Sequence, residues 1–359
     1  MDINQIKESV LDFIERGNSD DFPEMALKIY KFQFNENEDY KKFSISKGKT
    51  PQNVSNWKEI PAVPINAFKY ATFSAIPLKD TKYTYMTSGT TSGIKGKNYH
   101  MDLEVYDLAL TTFFKKMFIP DIEKIKIGVL FPTPQAMPNS SLAHYLEVAR
   151  TNFGTKDSQN YIDEHGIQYE SLIKDLKNSE DNQKPFALLG ATYSMVHLLE
   201  YLDDHNIKFH LPKGSRILDT GGYKNRYKNR SKELPQHDFY ERLTTTFGIP
   251  KENCVNMYGV TELSTQFYDK GNTISPSTKY SPHWCRSRIV NPLTMEEVSE
   301  GEKGILIHYD LANYNSVAAI LMEDIGEYKE KGFVLHGRTK GSLAKGCSLA
   351  MEDFLNATQ

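Results

Sequence analysis

The 359-residue chain is short of cysteine, of long apolar runs and of excess charge, and each shortage excludes a class of protein. Its three cysteines, Cys254, Cys285 and Cys347, are too few and too widely spaced for a disulfide framework or a Cys-x-x-Cys zinc site. No apolar stretch approaches the roughly 18 to 20 residues of a membrane helix, so we predict no membrane span. A net charge of −3 favours neither nucleic acid nor an anionic membrane as a partner.

The amino-terminal region also lacks the apolar core of a signal peptide, because charged residues recur through its first twenty positions. The composition, with 39% hydrophobic and 12% aromatic residues, is nevertheless ample for a buried core. The sequence therefore predicts a globular protein, which we expect to be cytoplasmic.

What the chain does have is a loop with almost no side-chain bulk, directly after a strand predicted at Tyr83 to Met86. Glycines let successive backbone N–H groups face one concavity, hydroxyls add donors and lysines add positive charge, which together suit a polyphosphate. On composition alone, a flexible surface loop is the alternative. The loop residues concerned are Thr87, Ser88, Gly89, Thr90, Thr91, Ser92, Gly93, Lys95, Gly96 and Lys97.

Farther along the chain, short apolar strands alternate with helical patterns, with strands predicted at 126–131, 186–190, 216–219 and 254–258. This alternation predicts an α/β fold, with a parallel sheet covered by helices on both faces. Beyond Ser264 the pattern is strand-rich, which predicts antiparallel or mixed sheet within the same domain. Since ligands of parallel sheets bind beyond the carboxyl ends of the strands, the loops at those ends are where we expect a site.

One of these strands runs into a second motif, Tyr-Gly-Val-Thr-Glu. A turn there places Tyr258, Thr261 and Glu262 at the carboxyl end of the strand, and Gly259 lets the backbone approach a ligand closely. A tyrosine ring can stack on a base, a hydroxyl can bond a phosphate oxygen, and a carboxylate can hold Mg²⁺. A polar turn at a strand end is the plainer interpretation.

Together the two motifs resemble the signatures of the adenylate-forming enzymes, whose phosphate loop reads Thr-Ser-Gly-Thr-Thr-Gly-x-Pro-Lys-Gly. Thr87 to Thr91 and Lys95-Gly96 match this pattern, whereas Ser92 and Ile94 depart from it. The Gly-Lys-Ser/Thr of a Walker loop and the Gly-x-Gly-x-x-Gly dinucleotide fingerprint are both absent. The resemblance implies an ATP site, with Mg²⁺ held near Glu262.

Two further segments extend the resemblance. The turn at Gly221 and Gly222 is similar to the family's Gly-Gly turn beside the adenine, which implies adenine binding by the backbone there. Asp324 and Arg338 match the family's ribose-binding aspartate and the arginine near the ribose and hinge. Without the other motifs, these segments would be a tight turn and a surface pair.

Near the carboxyl terminus, Cys347 follows a glycine and precedes a helix predicted to begin at Ser348. A helix N-terminus and a nearby lysine predict a lowered thiol pKa, and the glycine predicts a flexible arm, both of which suit an acyl acceptor. A small apolar residue in a tail is the alternative. Cys285, beside a histidine, could also be a nucleophile, but a buried structural role is favoured, and Cys254 is predicted to pack within a strand.

This ending resembles that of the acyl-protein synthetases, short adenylating enzymes that end soon after a cysteine that accepts an acyl group. The resemblance covers most of the chain and implies that the mobile carboxyl-terminal domain, with its catalytic lysine, is truncated. We therefore predict an adenylation domain at 1–340 and a short segment at 341–359 that carries Cys347. Lys95 is then the candidate for offsetting phosphate charge. Two departures from the family pattern, Glu323 and Gly341, put hinge behaviour in question.

The predicted function is a two-step ligase. With ATP and Mg²⁺ it converts a fatty acid to an acyl-adenylate, and Cys347 then takes the acyl group as a thioester for delivery to a partner such as a reductase. The predicted catalytic residues are Cys347, Lys95 and Glu262. Two alternatives are a ligase of the phenylacetate type, which passes the acyl group to coenzyme A, and a silent nucleotide-binding module that regulates a partner.

Overall fold

The computed structural model describes residues 2–88, 93–221, 235–339 and 342–358, and in the last of these ranges it describes side chains from position 346 onward. Five predicted site residues lie outside the described residues: Gly89, Thr90, Thr91, Ser92 and Gly222.

Helices occupy both ends of the described chain and alternate with strands through its middle. Their bounds are α1 Ile3–Arg16, α2 Phe22–Glu36, α3 Glu38–Ser46, α4 Glu104–Met117, α5 Ser141–Phe153, α6 Tyr169–Asp181, α7 Thr192–Asp204, α8 Gln236–Phe247 and α9 Ser342–Thr358. No helix among the described residues is long and apolar enough to cross a membrane.

The strands form two larger sheets and two short hairpins. Their bounds are β1 Val63–Pro64, β2 Tyr83–Met86, β3 Lys97–His100, β4 Lys126–Leu130, β5 Gln159–Asn160, β6 Ile162–Asp163, β7 Gly166–Ile167, β8 Phe186–Ala191, β9 Arg216–Thr220, β10 Cys254–Tyr258, β11 Phe267–Tyr268, β12 Thr278–Lys279, β13 Cys285–Val290, β14 Lys303–Asp310, β15 Ala319–Lys329 and β16 Gly332–Arg338.

The first sheet has the order β11-β10-β9-β8-β4-β5 and is parallel except for β11 at its edge. Every residue of β8 is buried, and its side chains alternate between two separate apolar clusters, with Leu188 in one and Leu189 in the other. Both faces of the sheet are therefore covered, which confirms the predicted α/β architecture.

The second sheet has the order β12-β16-β15-β14-β13, all antiparallel, and β1 joins β15 in parallel. This confirms the prediction of antiparallel or mixed sheet beyond Ser264. The larger apolar cluster includes Ile127 of the first sheet and Ile307 of the second. A shared core of this kind joins the two sheets, and Tyr258 at the carboxyl end of β10 contacts Asp324 of the second sheet.

The strand at Tyr83–Met86 is present but does not join the parallel sheet. It pairs antiparallel with β3 in a two-stranded hairpin, with Tyr83 opposite His100 and Met86 opposite Lys97. The predicted phosphate loop is thus the connection of a hairpin. The alternation of residues in a strand predicts its extended conformation. It does not predict which other segment the strand pairs with, here one that is eleven or more residues away.

The last helix begins at Ser342, six residues before the predicted start at Ser348, so that prediction was wrong. Gly346 lies within the helix, where an added Cβ would come within 2.5 Å of the Pro292 Cβ. Fully buried Phe354 contacts Phe43 and Phe73, with ring centroids 5.2 and 5.7 Å away. Tertiary packing therefore sets this helix, and the glycine permits close approach instead of providing a flexible joint.

Candidate active site

The turn after β10 brings the second motif to the carboxyl end of the parallel sheet. The N–H of Leu263 donates to the carbonyl of Val260 and closes the turn. Glu262 is only 6% exposed, although it is a carboxylate. A buried carboxylate at a strand end is unusual and directs attention to what it faces.

Glu262 faces the base of the predicted phosphate loop. There the N–H of Thr87 donates to the carbonyl of Gly96 at 3.0 Å, and the N–H of Gly96 donates to Thr87 Oγ1 at 2.9 Å. A Cβ added to Gly96 would come within 3.2 Å of Glu262 Oε1. Glycine therefore allows this close approach without displacing the Glu262 side chain, and the two sequence motifs, 166 residues apart from Gly96 to Glu262, meet in space.

A cavity of about 660 Å³ opens at this edge of the sheet. Four of the predicted site residues line the cavity. Ser88 comes from the phosphate loop, Gly221 from the turn after β9, and Gly259 and Thr261 from the turn after β10. Gly221 has φ of 97°, the left-handed region that glycine adopts without strain. The cavity also has apolar and aromatic walls, formed by Phe131, Leu142, Tyr145, Met257 and Val260.

Asp324 and Tyr258 form a polar pair beside the turn, and neither lines the cavity. The hydroxyl of Tyr258 donates to Asp324 Oδ2 at 2.9 Å, and Asp324 is opposite Arg338 in the β15–β16 pair. Burial raises the pKa of Asp324, which the hydrogen bond from Tyr258 and the charge of Arg338 oppose. Burial also raises the pKa of Tyr258, so its hydroxyl remains a donor. The third predicted segment thus contacts the second.

Burial raises the pKa of Glu262 to about 7, and its own backbone and the positive charges of Arg338 and Lys69 oppose the shift. Lys69 was not predicted as a site residue. It ends the 3₁₀ turn Ile65–Lys69, whose Phe68 Cβ is 3.4 Å from the Cβ position of Gly96. The turn therefore supports the loop base and brings a cation towards Glu262.

Three polar side chains that the sequence analysis missed hold the turn at Glu262 from the second sheet and the hairpin. Asn313 Nδ2 donates to the Glu262 carbonyl at 2.9 Å, and Asn98 Nδ2 donates to the Thr261 carbonyl at 3.2 Å. Fully buried Asp310 accepts from the N–H groups of Ser264 and Thr265, each at 2.8 Å. The signal available in the sequence was the polar run after β14.

A further buried network supports the turn at Gly221 from below. Asp219 is fully buried and accepts hydrogen bonds from Thr192 Oγ1, Tyr240 Oη and Asn256 Nδ2, at 2.8, 2.6 and 3.0 Å. Burial raises the pKa of Asp219 to about 6 despite these donors. Asp219 therefore fixes the ends of β9 and β10 and does not itself reach the cavity.

The sequence matches the family described as acyl-protein synthetase, LuxE, over residues 7–356. This chain belongs to the LuxE acyl-protein synthetase family. Two long-chain-fatty-acid–luciferin-component ligases are similar to it over most of their length. The ligase from Aliivibrio fischeri is 25% identical over 92% of this chain and 88% of its own, and that from Vibrio harveyi is 22% identical over 91% and 86%.

Solved adenylate-forming ligases share the fold of this LuxE family member. 2-Hydroxyisobutyryl-CoA ligase, in an open conformation with 2-HIB-AMP and CoA, superposes with a TM-score of 0.62 at 12% identity, over 87% of this chain and 73% of its own. ATP-bound MatB from Rhodopseudomonas palustris gives a TM-score of 0.51 at 13% identity, over 75% and 50%. The predicted adenylate-forming fold is confirmed, and at these identities the likeness concerns the fold alone.

In this LuxE family member Cys347 is half-buried on α9, and its Sγ is 3.8 Å from the Met322 carbonyl oxygen. Burial, with the negative charge of Glu323, raises the pKa of Cys347. The prediction of a lowered pKa was therefore wrong, because Cys347 is in the second turn of its helix and not at the N-terminus. Cys254 and Cys285 are buried, as predicted.

Lys95 is exposed at the carboxyl side of the loop, next to exposed Ile94. Its role in offsetting phosphate charge remains a prediction. Lys69, half-buried and beside Glu262, is a second cation at the same site. Its signal in the sequence was its position at the end of an extended, proline-containing segment that leads to the loop.

The ring of Tyr258 packs on that of His308, with the centroids 5.8 Å apart. The burial of this histidine predicts that the core is sensitive to acid. Burial lowers the pKa of His308 to about 3, while the unfolded histidine titrates near 6.5. Below pH 6.5 the unfolded chain then binds more protons, and the free energy of unfolding falls. In His308→Asn this loss should shrink by about 2 kcal/mol between pH 7 and 5.

Urea unfolding of both proteins at pH 7, 6 and 5 measures this difference. Exposed His165 provides the control, and His165→Asn should follow the pH dependence of the wild type. Parallel pH profiles for His308→Asn and wild type would contradict the prediction.

Proposed function

We propose that this protein uses ATP to convert a long-chain fatty acid to an acyl-adenylate and pyrophosphate, and then transfers the acyl group to Cys347 as a thioester. The observation that carries the proposal is the single cavity on which Ser88, Gly221 and Thr261 converge, with the carboxylate of Glu262 at the base of the loop. Membership in the LuxE family supplies the reaction class.

In the adenylation step, the fatty acid carboxylate attacks the α-phosphate of ATP, and pyrophosphate leaves. The loop residues Thr87 to Ser92 bind the phosphates, and Lys95 on the loop and Lys69 near Glu262 are the cations that offset the developing charge. Asp324 binds the ribose hydroxyls, since its carboxylate is aligned by Tyr258 at 2.9 Å. Positioning and charge stabilisation supply most of the rate enhancement at a phosphoryl centre.

Mg²⁺ fits the donor set beside the loop. It usually binds through one or two carboxylates and the substrate phosphates, and Glu262 is a buried carboxylate within 3.2 Å of the Gly96 Cβ position. The described residues contain no group of three acidic, histidine or cysteine side chains that could hold a metal by themselves. Glu262 would hold the ion, which when bound would neutralise charge on the phosphates.

The acyl chain occupies the apolar part of the cavity, against Phe131, Leu142 and Met257. Burial of methylene groups there stabilises binding by about 0.8 kcal/mol for each group. The thiol of Cys347 then attacks the acyl carbonyl and AMP leaves. The thioester is delivered to an acceptor protein, for which a reductase is the candidate.

Intact mass after incubation with ATP, Mg²⁺ and a long-chain fatty acid tests the proposal. Wild type should gain one hydroxylamine-labile acyl group, which disappears in Cys347→Ser while ATP–pyrophosphate exchange persists. Cys285→Ser retains Cys347 and should acylate as wild type does. Acylation that survives in Cys347→Ser would exclude this acceptor, and acyl-CoA formation on adding coenzyme A would favour the alternative ligase.

A further inference from the structure

The thiol of Cys347 requires a proton acceptor before it can attack. Its environment favours the neutral thiol, because it is half-buried beside a carboxylate and is not at a helix N-terminus. The thiolate is the nucleophile in thioester formation. A group near Cys347 must therefore take the proton during the transfer step.

Strand β15 provides carboxylates directly beside the cysteine. Cys347 Sγ is 3.8 Å from the carbonyl oxygen of Met322, and Glu323 and Asp324 are the next two residues of the strand. Asp324 accepts from the Tyr258 hydroxyl and belongs to the nucleotide side. Glu323 is therefore the carboxylate of this strand that is available to Cys347.

The carboxylate of Glu323 is held by the same turn that supports the phosphate loop. Asn66 Nδ2 donates to Glu323 Oε1 at 2.5 Å, and Lys69 Nζ donates to Asn66 Oδ1 at 2.7 Å. Within the described ranges, the other oxygen, Oε2, has no hydrogen-bond partner. One oxygen is therefore anchored and the other remains available to accept a proton.

This chain of contacts connects two sites. Lys69 lies towards Glu262 and the loop base, and Glu323 lies towards Cys347, with Asn66 bridging them. At the sequence level, Glu323 stood out because it replaces the glycine that precedes the ribose-binding aspartate in the adenylate-forming pattern. In the structure, this glutamate lies close enough to Cys347 to act on the charge of its thiol.

We infer that Glu323 accepts the proton of the Cys347 thiol during acyl transfer, held in position by Asn66. This inference rests on the proposed function, in which Cys347 is the acyl acceptor. The S–H bond breaks and its proton goes to Glu323 Oε2, while a C–S bond forms at the acyl carbonyl. The bond between the acyl carbon and the bridging oxygen of the α-phosphate breaks, and AMP leaves with that electron pair.

The other charged groups around the pair do not replace Glu323. Among the described residues these are Asp324, Arg338 and Lys69. Asp324 is engaged by Tyr258, and the side chains of Arg338 and Lys69 are hydrogen-bond donors that offer no acceptor atom for the thiol proton.

Glu323→Gln tests the inference because it keeps the shape and the bond from Asn66 but cannot take a proton. Single-turnover acylation of Cys347, followed by intact mass at pH 7, should slow by about 100-fold, within the range for general-base catalysis. ATP–pyrophosphate exchange should stay within about twofold. Glu327→Gln is the matched control, since Glu327 lies four residues along the same strand and bonds to His336.

The pH profile separates proton transfer from a structural role. Acylation by Glu323→Gln should accelerate between pH 7 and 9, as hydroxide replaces the missing base, and Glu323→Asp should restore part of the rate at pH 7. Equal acylation rates in Glu323→Gln and wild type, or a deficit independent of pH, would overturn the inference. Neither result alters the proposed function, which fails only if Cys347→Ser is acylated or no adenylate forms.

Discussion

Replacing Glu262 by Gln should slow adenylate formation by about 10²- to 10³-fold and leave the protein at least as stable as wild type. The carboxylate faces the loop base, where the phosphates and their counter-ion are proposed to bind. An amide has one neutral acceptor oxygen in place of a charged pair, so it holds a divalent cation poorly.

The stability expectation follows from the burial of the same group. Burial raises the pKa of Glu262 to about 7, so the folded state disfavours its ionised form relative to the unfolded chain. Above pH 7 the ionised carboxylate therefore opposes folding, and a neutral isostere removes that cost. A residue that impairs stability yet sits beside the phosphate loop is kept for chemistry and not for packing.

ATP–pyrophosphate exchange at pH 8 measures the first effect, and thermal unfolding without nucleotide or metal measures the second. Glu300→Gln, at an exposed position, should change neither quantity. A variant that unfolds earlier and loses exchange in proportion would show that Glu262 is structural. Normal exchange in a stable variant would exclude Glu262 as the magnesium ligand.

The sequence motifs predicted the loops that line the candidate site because each motif is local. Tyr258 ends a strand whose apolar pattern is evident in the sequence, and Glu262 follows it. Alternation of strands and helices alone placed β8 to β10 in a parallel sheet. Gly221 needed only the rule that ligands bind beyond the strand ends. Contacts within a few residues of one strand end are readable from the chain.

The supporting side could not be predicted, because its contacts connect distant segments. Asn98 bonds the Thr261 carbonyl across 163 residues, and Asn66 bonds Glu323 across 257. The start of the helix that carries Cys347, and hence the pKa of its thiol, was predicted wrongly for the same reason. That helix is set by the packing of Phe354 on Phe43, more than 300 residues earlier in the chain. Which polar residues meet across a core depends on the fold as a whole.

Asp310→Ala should cause a large loss of stability, about 3–5 kcal/mol in the free energy of unfolding. Asp310 is fully buried and accepts four hydrogen bonds, from the N–H groups of Ser264, Thr265 and Ala312 and from Thr265 Oγ1. Truncation leaves all four donors without this acceptor. Each buried unsatisfied donor costs about 1–3 kcal/mol, less whatever water recovers.

Urea unfolding of Asp310→Ala, Asp310→Asn and Asp353→Ala compares the free energy of unfolding lost with a buried hydrogen-bond acceptor to that lost with a surface charge. Asp353 bonds Lys47 at 2.7 Å but is 57% exposed, so its loss should cost less than about 1 kcal/mol. Asp310→Asn should lie between the two, since one amide oxygen still accepts. The turn that Asp310 anchors carries Glu262, so exchange activity should also fall in Asp310→Asn under conditions where it is folded. Normal exchange with a normal midpoint would show that Asn313 and Asn98 hold the turn unaided.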